Sequence, residues 1–573
     1  MKEVVMVQVG GFANFVGSHF WNFQDELLGL AEDPYADSVF KKQHLDMDVL
    51  YRTGETQQGI LSYTPRLVSI DLQGSLGSMS SHGTLYNHEP TTASDVTTWT
   101  AGVSTHTAER HRKNLFLQSL YEEQDKSTNI NDRPVDKSGL QGEYQDKDIV
   151  ENLDKGVQFW TDFSKVHYHS QSLYELSGLW MDAWEFDNYG IGRDALSHGL
   201  QGEEIIERFR FFVEECDRVQ GFQFMVDDSG GFSAVASELL ENIADEYSNT
   251  PVLLYALRAS ESHVNLGKRK QTILRSLHDA VSFSQLASFC NLVVPVGLPS
   301  LSTSRASSFF CIEDEKPYHC SAIYAAALHS ISLPFRMGSL APTADLHYVS
   351  GAVDVGDVVQ ILSGQSRRNK VAILDMAMPA PSLTGKEAGE RLLNHLHPVT
   401  PEIAEHAEDL QAVETMTIHG VLGPGGHQAS ASEVKDTIDA AYEHAPMRPK
   451  FCHLSVAHSP LPIPLPFPSI FKNVVGQHGE LFENPTAGPP SKGSLDVHSI
   501  PMAVRLRSSS AILPYLESRL GYLRRYGVDR GAPGAELVRS WGFGKDDLEE
   551  FAEALSKMVI ELKPHREVSS DSD

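Results

Sequence analysis

Residues 3–23 constrain the fold of this chain more than any other stretch. Val4, Val5, Met6, Val7 and Val9 form a nearly continuous apolar run, the pattern of a strand buried on both faces of a parallel sheet. Gly10 and Gly11 end the run, and Phe12, Phe15, Val16, His19, Phe20, Phe23 and Leu27 follow at helical spacing. A buried strand, a glycine turn and an amphipathic helix make half of a βαβ unit, so the chain starts as an α/β protein.

The alternation recurs downstream. Residues 66–72 read as a strand that ends in Asp71 before a Gly-Ser loop. Ile205, Ile206, Phe209, Phe212, Val213, Cys216 and Val219 make one helical stripe, and residues 222–226 make the next strand. The Gly-rich turn 227–233 leads into a helix with Ala236, Leu240, Ile243, Ala244 and Tyr247 on one face, and 252–257 and 292–296 are further strands. The alternation implies a doubly wound parallel α/β domain, with a helical region at the C-terminal end. The expected boundaries are 1–265 for the first domain, with a polar insertion near 74–156. Residues 266–458 follow as a second unit, with an insertion near 400–445, and 459–573 as a Pro-rich connection and helical end. Residues 121–156 carry few core-forming groups and read as a surface loop or disordered insertion. The alternate prolines of 459–469 read as an extended, solvated connection, and the Ala-rich stretch 318–332 as a closely packed helix.

Charge narrows the partners. The chain has 47 Lys and Arg against 76 Asp and Glu, a net charge of −29. Nucleic acid and anionic membranes both need a positive face, so neither is expected as the main partner. No run of about 18 apolar residues occurs, so no transmembrane segment is expected. The first residues read as a strand rather than a signal peptide. Five widely spaced cysteines fit a reducing compartment and give no zinc pattern. The pairs His167/His169 and His395/His397 lack further ligands nearby in sequence, so no metal site is expected.

Gly10–Gly11 and Ser229–Gly231 each sit between a strand and a helix, where glycine lets backbone approach an anion and the helix start supplies N–H donors. On spacing alone, tight turns are the favoured explanation of both, because short glycine patterns are weak. The DDSGG string at 227–231 also matches the nucleophile region of trypsin-like proteases, but those are all-β and a helix follows here.

Several collinear segments carry a family likeness. Residues 3–23 resemble the opening of tubulins, with Gln8, Gly10, Asn14, Gly17, Phe20 and Trp21 in register. Residues 65–72, 165–168 and 215–224 continue that order, and the helix at 268–288 stands where the tubulin core helix would. Residues 15–26, 212–223 and 317–336 are more similar still to the Misato family, distant relatives of tubulin and FtsZ. The resemblance implies a tubulin-like fold, with a core helix and a second α/β domain over 266–458, in a cytoplasmic protein with a peripheral fraction on the mitochondrial outer membrane. It implies roles in mitochondrial distribution, morphology and fusion and in spindle microtubule assembly, with tubulin and the cytosolic chaperonin as protein partners.

In tubulins such a scaffold binds GTP, and the corresponding cradle here would be Gly10, Gly11, Asn14, Asp71, Ser229, Gly230, Gly231 and Ser233. The departures weaken it: Gly11, Phe12 and Phe15 replace polar residues, Gln73 replaces an acid, Gln271 stands for a base-reading asparagine, and Asp228 brings negative charge toward the phosphates. The acid that tubulins present for hydrolysis falls near Tyr348 and His347, with Asp345 or Asp354 as stand-ins. The expectation is a non-enzymatic organiser with no catalytic residues, no metal and no certain cofactor; the alternative is a GTP-binding switch or weak GTPase.

Overall fold

The computed structural model describes residues 2–41, 45–55, 61–81, 83, 111–128, 145–178, 186–197, 199–260, 269–338, 348–364, 369–405, 409–445, 448–485 and 489–563. The first sheet contains β1 (Glu3–Val9), β2 (Leu67–Leu72), β3 (Leu173–Leu176), β4 (Val219–Asp227), β5 (Val252–Leu257) and β6 (Leu292–Val296). Its order is β3-β2-β1-β4-β5-β6 and every pairing is parallel. That order reverses direction at β1, so β1 and β4 part at the switch point where such sheets place their ligand crevice. All of β1, β2, β5 and β6 is buried, as the unbroken apolar runs require.

Helices cover both faces. α1 (Gly11–Glu32), α2 (Leu115–Thr128), α3 (Asp146–Gly156), α4 (Tyr189–Ser197), α5 (Gln201–Glu214), α6 (Phe232–Glu246), α7 (Arg269–Phe289) and α8 (Pro317–Ser332) follow in chain order. The second sheet contains β7 (Tyr348–Ser350), β8 (Ile373–Ala377), β9 (His397–Pro398), β10 (Val413–His419), β11 (Phe451–Ala457) and β12 (Met502–Ser508), in the mixed order β9-β8-β12-β10-β11-β7. α9 (Val355–Gly364), α10 (Ala431–His444), α11 (Leu513–Leu523), α12 (Ala535–Ser540) and α13 (Lys545–Leu562) complete the helices used below.

Five expectations need correction. The core helix is α8, not 268–288: every residue from Tyr318 to Ser332 is buried, and α8 packs on α1 and the second sheet. Small residues (Ser321, Ala322, Ala325, Ala326, Ala327) allow that enclosure on all sides. α7 instead packs against α6, α11 and α13, with its first turn exposed.

The segment 400–445 is no insertion, because β10 is an inner strand of the second sheet and α10 packs beside it. Its buried Glu414 disguised the strand; that carboxylate meets the Tyr442 hydroxyl at 2.6 Å and Arg505 at 3.4 Å. β12, an inner strand too, lies inside the span expected to be helical, which becomes so only from Ser510 onward.

The Pro-rich run is core rather than solvated linker. Leu461, Ile463 and Phe467 are buried in the core cluster that also holds α1 and α8 residues, and the Tyr318 hydroxyl donates to Pro466 O at 2.9 Å. Proline brings no N–H to satisfy, so an extended Pro-apolar segment is cheap to bury.

Within 121–156, α2 continues to Thr128 and α3 buries Ile149, Val150 and Leu153, with Ile149 and Leu153 clustered with Phe116, Phe163 and Tyr318. Three apolar residues on one face suffice for a helix whose other faces are charged. Residues 129–144, and the expected boundary at 265–266, lie outside the described residues. No helix among the described residues is long and apolar enough to cross a membrane.

Candidate functional site

The switch point brings Gly10, Gly11, Asn14 and Asp71 together. Gly10 has φ +106°, a left-handed conformation that disfavours side chains, and its N–H donates to Ile70 O at 3.0 Å, which ties the turn to the end of β2. Asn14, in the first turn of α1, donates to Asp71 Oδ2 at 3.2 Å and to Ile70 O at 3.1 Å, and accepts from Ser69 Oγ at 2.7 Å. Asp71 also accepts from Leu72 N at 2.8 Å and from Trp160 Nε1 at 3.1 Å. Burial pushes the Asp71 carboxyl up to about 6, partly offset by those hydrogen bonds. Gly11 faces the same carboxyl, since a Cβ there would lie 3.9 Å from both oxygens.

The space over Gly10 is already taken. A Cβ on Gly10 would lie 2.5 Å from Asp227 Cβ and 3.0 Å from the Phe232 ring. Asp227 is buried; its Oδ1 accepts from Ser229 Oγ at 2.7 Å and its Oδ2 from Phe12 N at 3.4 Å. Burial pushes its carboxyl up to about 7, with Ser229 opposing and the neighbouring Asp228 charge adding to the rise. Asp227, Trp160 and Ser69 were not singled out as site residues from the sequence.

The second turn is covered as well. Gly231 N donates to Phe186 O at 2.9 Å, and a Cβ on Gly231 would lie 2.6 Å from the Phe186 ring. A Cβ on Gly192 of α4 would collide with Gly231 O, so α4 packs directly on the turn. Gly230, at φ +63°, has its carbonyl 3.0 Å from Ser233 Oγ and 2.8 Å from His278 Nε2. Ser233 is thereby committed to the helix it starts, and Ser229 to Asp227. α4 is in turn held by the C-terminal region: Arg193 donates to Trp541 O and Gly542 O, and Tyr189 packs on the Trp541 and Phe543 rings.

Asp228 does not face the turn, contrary to the sequence reading. It pairs with Arg258, whose Nη2 also reaches Asp279 Oδ1 at 2.8 Å. Gln271 is exposed on α7, which is not the core helix. Phe12 meets Tyr324 of α8 edge-on at 6.2 Å, and Phe15 lies 5.8 Å from Phe163, so both replacements pack against other rings. Asp354 pairs with Lys2 at 2.8 Å and accepts from Asp357 N at 2.9 Å, while Asp345 and His347 lie outside the described residues. Of the histidine pairs, His169 stacks on Phe211 and His395 on Phe309.

The residues present do not fit a nucleotide's phosphate chain. A phosphate needs free backbone N–H groups at a glycine turn. Here Asp227 stands over the first turn, and Phe186 O takes the Gly231 amide of the second.

The six-stranded parallel sheet, the helix enclosed between it and a second mixed sheet, and the paired glycine turns define a tubulin-like protein. Residues 2–122 match the Misato Segment II tubulin-like domain and residues 151–337 the tubulin domain. The chain is 30% identical over 580 residues to protein misato homolog 1 of Mus musculus and 29% identical over 587 residues to that of Homo sapiens, covering 97% of both chains in each case. It is 28% identical over 358 residues to protein misato of Drosophila melanogaster, across 59% of this chain and 60% of the fly protein. The chain belongs to the misato family.

Proposed function

We propose that this chain is a non-enzymatic, tubulin-like organiser of mitochondrial distribution, morphology and fusion that works through protein contacts. The observation that carries the reading is the closed cradle: Asp227 and Phe186 stand where a nucleotide's phosphates would need open turns. A fold kept while its ligand crevice is filled serves as a scaffold, and function then lies on surfaces. The mitochondrial assignment, a cytoplasmic location with a peripheral outer-membrane fraction, and a contribution to spindle microtubules with tubulin and the cytosolic chaperonin all rest on the family resemblance.

Equilibrium binding of labelled GTP to the purified chain tests the first part. No saturable binding is expected, and stoichiometric binding would overturn the reading. Depletion with imaging of mitochondria and spindles, together with proximity labelling, tests the second part. Unchanged mitochondrial networks after depletion would sink it. A GTP-binding switch is the second reading, favoured by Gly10, Asn14 and Asp71 still standing together at the switch point.

A further inference from the structure

The closed cradle has an unequal architecture. The second turn is covered by a whole helix, α4, and by the C-terminal region that holds it, so no single side chain opens it. At the first turn the Asp227 side chain and the Phe232 ring stand over Gly10, and of the two Asp227 also takes a backbone amide at the start of α1. Asp227 touches Gly10 through its Cβ, takes the Phe12 amide on one carboxyl oxygen and takes the Ser229 hydroxyl on the other. Its carboxyl therefore bridges the two glycine turns and uses donors that a bound anion would use. The nearest guanidinium in the network, Arg258, is engaged by Asp228 and Asp279, so it offers Asp227 no compensating charge.

We propose that Asp227 is an internal stopper, a carboxyl that occupies the anion position at the start of α1 and keeps inorganic phosphate out of it. The proposal rests on the closed-cradle reading and gives one side chain the blocking role at the first turn. A shorter side chain would empty the position, leave Ser229 Oγ and Phe12 N without their acceptor, and remove the like charge that repels phosphate. Asparagine would not empty it, because its amide fills the same space and its oxygen still accepts.

The experiment compares wild type, Asp227→Ser and Asp227→Asn, with inorganic phosphate as the probe against chloride at matched ionic strength. Thermal unfolding should show no phosphate-specific shift for wild type or Asp227→Asn. Asp227→Ser should show a saturable upward shift in Tm that labelled phosphate binding reproduces at one site per chain. A folded Asp227→Ser that gains no phosphate response overturns the stopper and leaves the non-nucleotide reading intact. A phosphate or GTP response in wild type overturns both. Should the serine variant not fold, the wild-type Phe12 amide decides. Its NMR signal should follow the Asp227 carboxyl as pH changes and stay unmoved by phosphate. A saturable phosphate-induced displacement of that signal would overturn the proposal.

Discussion

Arg258 grips Asp228 through two parallel hydrogen bonds, Nε to Oδ1 at 2.8 Å and Nη2 to Oδ2 at 3.0 Å. The pair is largely buried, and the same Nη2 holds Asp279 of α7, so one cation just after β5 serves two carboxylates, one just after β4 and one on α7. This turns Asp228 away from the glycine turn and leaves that place to its neighbour Asp227. Burial pushes the Asp279 carboxyl up, but the Arg258 guanidinium outweighs it and holds the group below the usual carboxylate range.

Removing the shared cation should therefore be costly. Arg258→Met leaves two buried carboxylates facing each other, and breaking a buried pair in this way costs roughly 3–5 kcal/mol. Urea unfolding should show that loss, and Asp228→Asn in the same chain should recover part of it. Equal stability of Arg258→Met and wild type would contradict the network.

The Asp227 carboxyl sets a pH dependence with a definite sign. Its folded value, raised to about 7, lies above the unfolded value of about 3.9. Its contribution to stability is thus fully present below pH ~4 and lost as pH rises through about 7. The difference amounts to a few kcal/mol at most, since a shift of one unit corresponds to about 1.4 kcal/mol. Asp227→Asn cannot titrate, so its stability should fall less than that of wild type between pH 5 and 8. Parallel profiles for the two chains would refute the assignment.

His419 works in the opposite direction. It is fully buried between α8 and the Pro-rich run, with Nε2 2.9 Å from Ser330 Oγ and Nδ1 3.0 Å from Ser459 O. Burial, opposed by the hydrogen bond to Ser459 O and helped by the Arg336 charge, holds it down to about 4. Its stabilising share is present above about 6.5 and lost as pH falls toward 4. His419→Gln should remove up to one proton from the slope of unfolding free energy against pH in that window. An unchanged slope would mean that the imidazole titrates normally.

Much of the first domain was legible because its signals are local: β1, the Gly10–Gly11 turn and α1 occupy one continuous stretch, and parallel strands announce themselves as apolar runs. The gathering of Asn14 and Asp71 was legible through the family likeness. The stopper was not, because the sequence shows two adjacent acids and says nothing of which one Arg258 draws off. Trp160 and Phe186 join the site from far along the chain, with no local mark on either. β10 and α3 were hidden for another reason: their cores are small, and buried Glu414 or a charged outer face made each look solvated.

α3 gives that lesson a test. Leu153 is buried against Phe116 and Phe163, so Leu153→Ala should cost about 2–4 kcal/mol. Limited proteolysis of the folded chain should spare residues 146–156, since cleavage there would require the helix to open. Early cutting within α3 would restore the loop reading.

The last expectation concerns turnover. Hydrolysis in tubulins depends on an acid presented from the second domain, and one stand-in for it here is Asp354. That carboxylate is already engaged: Lys2 holds it at 2.8 Å, and it caps the start of α9 by accepting from Asp357 N. Lys2 on Asp354 holds the carboxylate below its usual range, although partial burial pushes the other way. An acid tied to its own N-terminal lysine and helix cap is poorly placed to orient a water for a neighbouring molecule. With the cradle filled by Asp227 and Phe186, neither phosphate release nor filament pelleting is expected at high protein concentration with GTP and magnesium. Asp354→Asn should leave that zero background unchanged and act only on the attachment of residues 2–9 to α9, as a loss of stability of about 1 kcal/mol or less for a half-exposed pair. Concentration-dependent phosphate release in wild type that Asp354→Asn abolishes would show that the acid is catalytic after all.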